Sequence, residues 1–263
     1  AENAQEAYDT ILEAYKVAED PDVMLPVMVN LDGFVLTHTY ELLHTVDQDK
    51  VDAYIPYQQF ANRMDLDNPK ATCITAGPLY NMEFRYQQHQ AMLNAVEKIK
   101  AADKAFGETF GRSYGGVVEA YKCDDAEAIL ITLGSVAGPT RCVVDELREQ
   151  GKKVGLLKIR CMRPFPVKEI VEVVKNAKFV GVLEKDVSFG FEGVVYTDVC
   201  SALKSAGVEI PAANYVGGLG GRSIYKTDIE KIYEELLKEN ITRQMEIDAE
   251  LEIKDQEECV EVQ

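Results

Sequence analysis

The sequence predicts an α/β fold, a three-layer αβα arrangement around a mostly parallel sheet. Three observations carry it. Ala128–Leu133, Val154–Ile159 and Phe179–Leu183 are mostly apolar runs without polar alternation, the pattern of strands buried on both faces. Helical patterns separate them, so successive strands join through βαβ crossovers. Glycine-bearing turns at Gly134–Gly138 and Gly217–Gly221 stand where a strand gives way to the next element.

Taken in order, Ala4–Glu19 has a helical pattern, with Tyr8, Ile11, Leu12 and Tyr15 on one face. Val23–Asn30 reads as a buried strand in which Pro26 demands an edge or a bulge. It runs into the loop Leu31–Thr39, placed where α/β sheets bind ligands. Val46–Gly77 reads as an extended connector, and such connectors pack on a partner or mark a domain junction. A helical stripe of Met82, Tyr86, Leu93, Val96 and Ile99 follows, broken by Gly107, Gly111, Gly115 and Gly116. Val117–Tyr121 is expected as a short edge strand. In the main body, Val136–Gln150 is the first crossover helix, with Val143, Val144 and Leu147 inward and Gly151 just past its end. Arg160–Pro166 is a rigid loop whose Pro166 starts a helix reaching Asn176. Glu184–Asp186 ends the third strand, and a helix reaches Ala206. Ala213–Val216 is a fourth strand. Thr227–Glu230 has the spacing of a capping box opening a last helix to Leu237.

Composition limits the function. The 263 residues carry a net charge of −17, which repels phosphate backbones and anionic lipid, so neither nucleic acid nor membrane is an expected partner. No apolar run spans a bilayer and no secretion signal is visible, which points to a cytoplasmic protein. The chain opens at Ala1 directly in a helical pattern, the appearance of a processed chain or a fragment. Nine acidic residues against two basic ones fall in Glu239–Gln263, read as a solvated acidic tail. Six cysteines at 73, 123, 142, 161, 200 and 259 are too scattered for iron–sulfur ligation, and Cys142 and Cys200 read as small core residues.

Four loops carry candidate chemistry: Gly134–Gly138, Arg160–Pro166, Glu184–Gly193 and Gly217–Arg222. Their glycines free backbone N–H groups for an anion, while Arg160, Arg163, Lys185 and Arg222 bring positive charge to an acidic protein. An anion site and a subunit contact both fit, as does a plain tight turn at Gly134. His38 reads as a hydrogen-bonded structural residue, with proton transfer the alternative. His44 reads as a surface residue, and His89, on the helix face of Tyr86, Leu93 and Val96, as a packed interface or core residue. No nucleophile–base pair, dinucleotide fingerprint or Walker loop is present.

Several blocks match one known group in order: Leu25–Thr39, Met82–Gln87, Thr132–Gly138 with Val144–Arg148, Arg163–Pro166 and Gly217–Arg222. To about Leu237 the chain resembles the C-terminal portion of the α subunit of pyruvate:ferredoxin oxidoreductase, in the 2-oxoacid:ferredoxin oxidoreductase family. The resemblance implies the end of a pyrimidine-binding α/β domain at 1–60, a connector with a long helix at 61–122, a transketolase C-terminal-like domain at 123–238, and a tail at 239–263. It implies a complex that decarboxylates a 2-oxoacid oxidatively on thiamine diphosphate and Mg2+. Electrons pass through 4Fe–4S clusters to ferredoxin, and coenzyme A takes the acyl group. Pyruvate is the expected substrate, with 2-oxoglutarate or a branched-chain 2-oxoacid the alternative. A structural assembly subunit and a small-anion module are the readings outside that class. The family's thiamine-contacting residues lie upstream of this stretch, so no catalytic, cofactor-binding or metal-binding residue is expected here and the chain alone is expected to be inactive. Beta-, gamma- and delta-type subunits and the N-terminal part of α are the implied partners, with ferredoxin docking on another subunit. The candidate interface or site-proximal residues are Asp32, Gly33, Phe34, His38, Gly134, Ser135, Arg163, Lys185, Gly218, Gly220 and Arg222.

Overall fold

The structure is a computed structural model that describes residues 1–60, 63–71, 75–238 and 245–247. Its centre is a six-stranded sheet in the order β1-β3-β2-β4-β5-β6. These strands are β1 (Val118–Tyr121), β2 (Ala128–Thr132), β3 (Val154–Ile159), β4 (Phe179–Glu184), β5 (Ala212–Val216) and β6 (Met245–Ile247). All neighbours pair in parallel except β1, which runs antiparallel to β3 at the edge. Every residue of β2 and β3 is buried, including Thr132 and the charged Lys158 within otherwise apolar runs.

Helices cover both faces. Leu130, Leu156 and Leu183 turn toward α4 (Ala137–Glu149) and α7 (Lys226–Leu236), meeting Val144, Leu147, Tyr233 and Leu236. Ile129, Ile131, Leu157 and Val182 face the other way, toward Ile170 and Val174 of α5 (Val167–Val174) and Val195 and Val199 of α6 (Val194–Ser205). Strand alternation thus divides one sheet between two cores. Gly151 follows α4 at φ +81°, a conformation glycine adopts without Cβ strain. The last helix starts at Lys226 with Tyr225 as its N-cap, two residues earlier than the Thr227–Glu230 capping box suggests. Asp228, not Glu230, supplies the carboxylate that accepts the Tyr225 N–H at 2.8 Å.

The N-terminal part comprises α1 (Ala4–Ala18), α2 (Gln48–Tyr54) and α3 (Pro78–Phe110). It departs from expectation in several places. Residues 23–30 form no strand. Val23 packs with Val17, Ala95 and Ala102 in a third small core, and no neighbouring strand offers hydrogen bonds, so Met28 is left 81% exposed. The connector contains α2, whose buried Tyr54 stands edge-on to Phe106 and donates its hydroxyl to the Ala102 carbonyl at 2.9 Å. α3 runs on to Phe110 and stops at Gly111 in the left-handed region. Only its second half packs closely. Met82, Tyr86, Leu93 and His89 are exposed, so His89 is not a core residue of this chain. Cys142 is exposed as well, because α4 turns Thr140, Val143, Val144 and Leu147 inward. Of the acidic tail, Met245–Ile247 adds a short parallel strand beside β5. The rest, 239–244 and 248–263, lies outside the described residues, as does Cys73.

Candidate functional site

α1 shows its acidic side to the sheet. Glu6, Asp9, Glu13 and Val17 are its buried residues, while Ile11 and Tyr15 are exposed, so the face expected from the apolar pattern is turned away. Four cations, from β3 and its end, α4 and the turn after α3, explain the rotation. Lys158, at the end of β3, is 3% exposed and contacts Glu2 at 2.7 Å and Glu6 at 2.9 Å. Arg160, just beyond, donates to Glu6 at 2.9 Å and to the Gly116 carbonyl at 2.6 Å, and reaches Glu13 and Asp103 at 3.4 Å each. Arg112 grips Asp9 with two nitrogens, at 2.6 and 2.8 Å. Arg141 joins Glu2 to Glu119 at 2.9 and 2.8 Å. This ionic seam fastens the helical part to the sheet.

The acids in it respond differently. Burial alone raises Glu6, but Lys158 and Arg160 outweigh it and hold the carboxyl below its ordinary value. Glu13 goes the other way. Burial pushes it up to about 7, because Arg160 is shared with other acids and Asp103 and Glu6 repel a further charge. Its Oε1 is buried without a hydrogen-bond partner.

A cavity of about 600 Å³ lies beside the seam, within the size range of small-molecule sites. Its walls come from α1, residues 23–32, α3 and the segments leaving β2, β3 and β4. Asp32 stands at this end of the sheet. One of its carboxylate oxygens accepts the Ser135 N–H at 3.0 Å and faces the Lys185 ammonium at 3.2 Å. Lys185 in turn reaches the Ser135 hydroxyl at 3.1 Å. Gly134 takes φ +66°, and a Cβ there would lie 3.4 Å from both Asp32 oxygens.

Next to it, Glu184 ends β4 and caps α6, accepting the N–H groups of Val195 at 2.7 Å and Tyr196 at 3.1 Å. Burial raises it to about 7 although those two donors pull it down. A Cβ on Gly193 would fall 1.9 Å from its Oε1. Gly193→Ala is therefore expected to displace the cap and lose about 1–3 kcal/mol in urea denaturation, whereas Ala at exposed Gly33 stays within about 0.5 kcal/mol.

The sequence candidates separate in space. Asp32, Gly134, Ser135 and Lys185 meet. Gly33, Phe34 and His38 form an exposed turn beside them, with Phe34 at φ +63° and its ring stacked on His38 at 4.7 Å. The Thr37 hydroxyl lies 2.8 Å from His38 Nδ1, so His38 is hydrogen-bonded as expected. Arg163 borders the cavity but pairs with Asp198 at 2.8 Å. Gly218, buried, and Gly220, exposed, both take positive φ in the short turn after β5 that ends at exposed Arg222. The four loop cations form no common anion site, since Arg160, Arg163 and Lys185 are each engaged by different carboxylates. The sequence reading missed Glu6, Glu13, Asp103 and Lys158. A signal existed: Glu2, Glu6, Asp9 and Glu13 recur at helical spacing.

Two family models match the chain in succession. Residues 1–104 match the thiamine diphosphate-binding model of pyruvate flavodoxin/ferredoxin oxidoreductase, and residues 126–229 match pyruvate:ferredoxin oxidoreductase core domain II. The chain belongs to the pyruvate:ferredoxin oxidoreductase family. Among relatives of this family, pyruvate synthase subunit PorA of Methanosarcina barkeri is 42% identical over 90% of this chain and 59% of its own length. PorA of Methanothermobacter thermautotrophicus is 45% identical over 88% of this chain and 59% of its own. Ketoisovalerate oxidoreductase subunit VorA of Pyrococcus horikoshii is 38% identical over 96% and 63%. The chain thus spans about three fifths of the relatives it matches. The family implies thiamine diphosphate and iron–sulfur clusters in the whole enzyme, and residues 1–104 match its thiamine diphosphate-binding model. Among the described residues no three His, Cys, Asp or Glu side chains converge as metal ligands, and the buried carboxylates of the seam already face cations of this chain.

Proposed function

We propose that this chain is the C-terminal portion of the α subunit of a thiamine-diphosphate-dependent 2-oxoacid:ferredoxin oxidoreductase, interconverting pyruvate plus coenzyme A and acetyl-coenzyme A plus CO2 with ferredoxin as electron carrier. The observation that carries this reading is the ordered match of both family models along one chain. Within the complex this portion is a scaffold. Its most buried charges are engaged with one another, and its large exposed apolar residues, Met28, Phe34, Tyr40, Leu42 and Met82, offer contact surface for other chains. Thiamine diphosphate, Mg2+ and 4Fe–4S clusters are then held by the rest of α and by beta-, gamma- and delta-type subunits, and ferredoxin docks on one of those. The division into a pyrimidine-domain remainder, a connector, a transketolase C-terminal-like body and an acidic tail belongs to the same reading, as does a cytoplasmic location. Among the described residues no helix is long and apolar enough to cross a membrane.

Reconstitution tests it. The chain combined with the other subunits is expected to form a brown complex that reduces a viologen dye with pyruvate and coenzyme A, and the chain alone to give no reduction. Full turnover of a complex assembled without this chain would contradict the scaffold role. The VorA similarity makes 2-ketoisovalerate the second substrate to assay, and a higher kcat/KM with it than with pyruvate would move the enzyme to the branched-chain class.

A further inference from the structure

Open α/β sheets bind ligands past the carboxyl ends of their strands, where the strand order reverses direction. Here β2 leads through α4 to β3 on one side, and β3 then crosses to β4 on the other side of β2. The reversal therefore falls between β2 and β4. The two segments leaving these strands meet there through Ser135 and Lys185. Both donors converge on one oxygen of Asp32, a residue more than a hundred positions earlier in the chain. Gly134 takes the left-handed φ of +66° that favours glycine, and a Cβ there would stand in van der Waals contact, 3.4 Å, with that carboxylate. Glu184 does not compete, being turned to the α6 amides.

We propose that Ser135 and Lys185 form an oxyanion receptor at the switch point, filled from within by the Asp32 carboxylate, so that residues 23–39 are a strap held by a displaceable internal ligand. A free phosphate or carboxylate binds there when Asp32 lets go. The strap walls one side of the cavity and carries the Phe34–His38 turn, so the same contact sets the position of both. Burial acts to raise Asp32, yet the Ser135 hydroxyl and N–H with Lys185 hold it below its ordinary value, as for a bound anion. This inference does not rest on the oxidoreductase reading.

The test uses the 263-residue chain and its Asp32→Ala variant, with inorganic phosphate or acetate against chloride at matched ionic strength. Phosphate is expected to raise the Tm of Asp32→Ala by about 2–4 °C and to leave the parent chain unmoved. The second substitution Lys185→Gln should abolish the gain. Strap amides in Asp32→Ala should exchange about tenfold faster than in the parent. Acetate acting like phosphate assigns the receptor to oxyanions generally, and a response to phosphate alone restricts it to phosphate groups. No response to either anion, an equal response in parent and variant, or a response that survives Lys185→Gln overturns the proposal. Should Asp32→Ala not fold, Asp32→Asn keeps an acceptor for the Ser135 N–H while removing the charge. The same phosphate response is required of it, and its absence counts equally against the receptor.

Discussion

Arg160→Met is expected to destabilise the chain by about 3–5 kcal/mol, the cost of leaving buried charges without a partner. Arg160 is 6% exposed and stands among Glu6, Glu13 and Asp103, which are themselves nearly inaccessible. Methionine fills part of the volume and returns none of the charge. Glu6 keeps Lys158, but Asp103 is left with neutral donors, the Ser113 hydroxyl at 2.7 Å and the Tyr114 N–H at 2.7 Å. Urea denaturation followed by circular dichroism gives the difference. Arg163→Met is the control, because its pair with Asp198 is 57% exposed on the arginine side and is expected to matter by no more than about 0.5 kcal/mol. Equal losses for the two variants would show that the seam does not hold the helical part to the sheet.

Glu13→Gln is expected to act in the opposite direction, and only above acid pH. A carboxyl raised to about 7 in the fold binds its proton more tightly than in the unfolded chain. Its contribution to stability is complete below the unfolded value, near pH 4, and is lost as pH rises through 7. Ionised Glu13 is a buried carboxylate with one oxygen unpartnered. Glutamine removes that penalty, so the variant should match the parent at pH 4–5 and exceed it at pH 8 by an amount on the order of 3 kcal/mol. Glu6 supplies the contrast. Its lowered value stabilises above about pH 4 and fails as pH drops below it, so Glu6→Gln should weaken the chain at neutral pH. Stability curves of Glu13→Gln and parent that run parallel from pH 4 to 8 would place the Glu13 charge in solvent.

Much of the sheet was legible in the residues. β2, β3 and β4 announce themselves because a strand covered on both faces needs apolar side chains in both directions, and each run is closed by a turn. β1 was legible as an edge strand, though nothing local marks it as antiparallel. The long-range features were not. Residues 23–30 have a strand's composition, but composition cannot provide the partner edge that makes a strand. The rotation of α1 was hidden because a stripe of acids on a helix ordinarily faces water. It turns inward only when cations from β3, α4 and the turn after α3 arrive from far along the chain. Likewise Asp32, Ser135 and Lys185 were separate candidates in separate loops, and only the crossover order brings them together.

Under the proposed function, these residues brace an oxidoreductase whose thiamine chemistry is supplied by other parts of the complex. Calorimetric titration of thiamine diphosphate with Mg2+ into the isolated chain tests this most directly. No heat of binding is expected from the chain by itself, with saturable binding once the remaining α portion and its partner subunits are present. Stoichiometric binding by the isolated chain would contradict it.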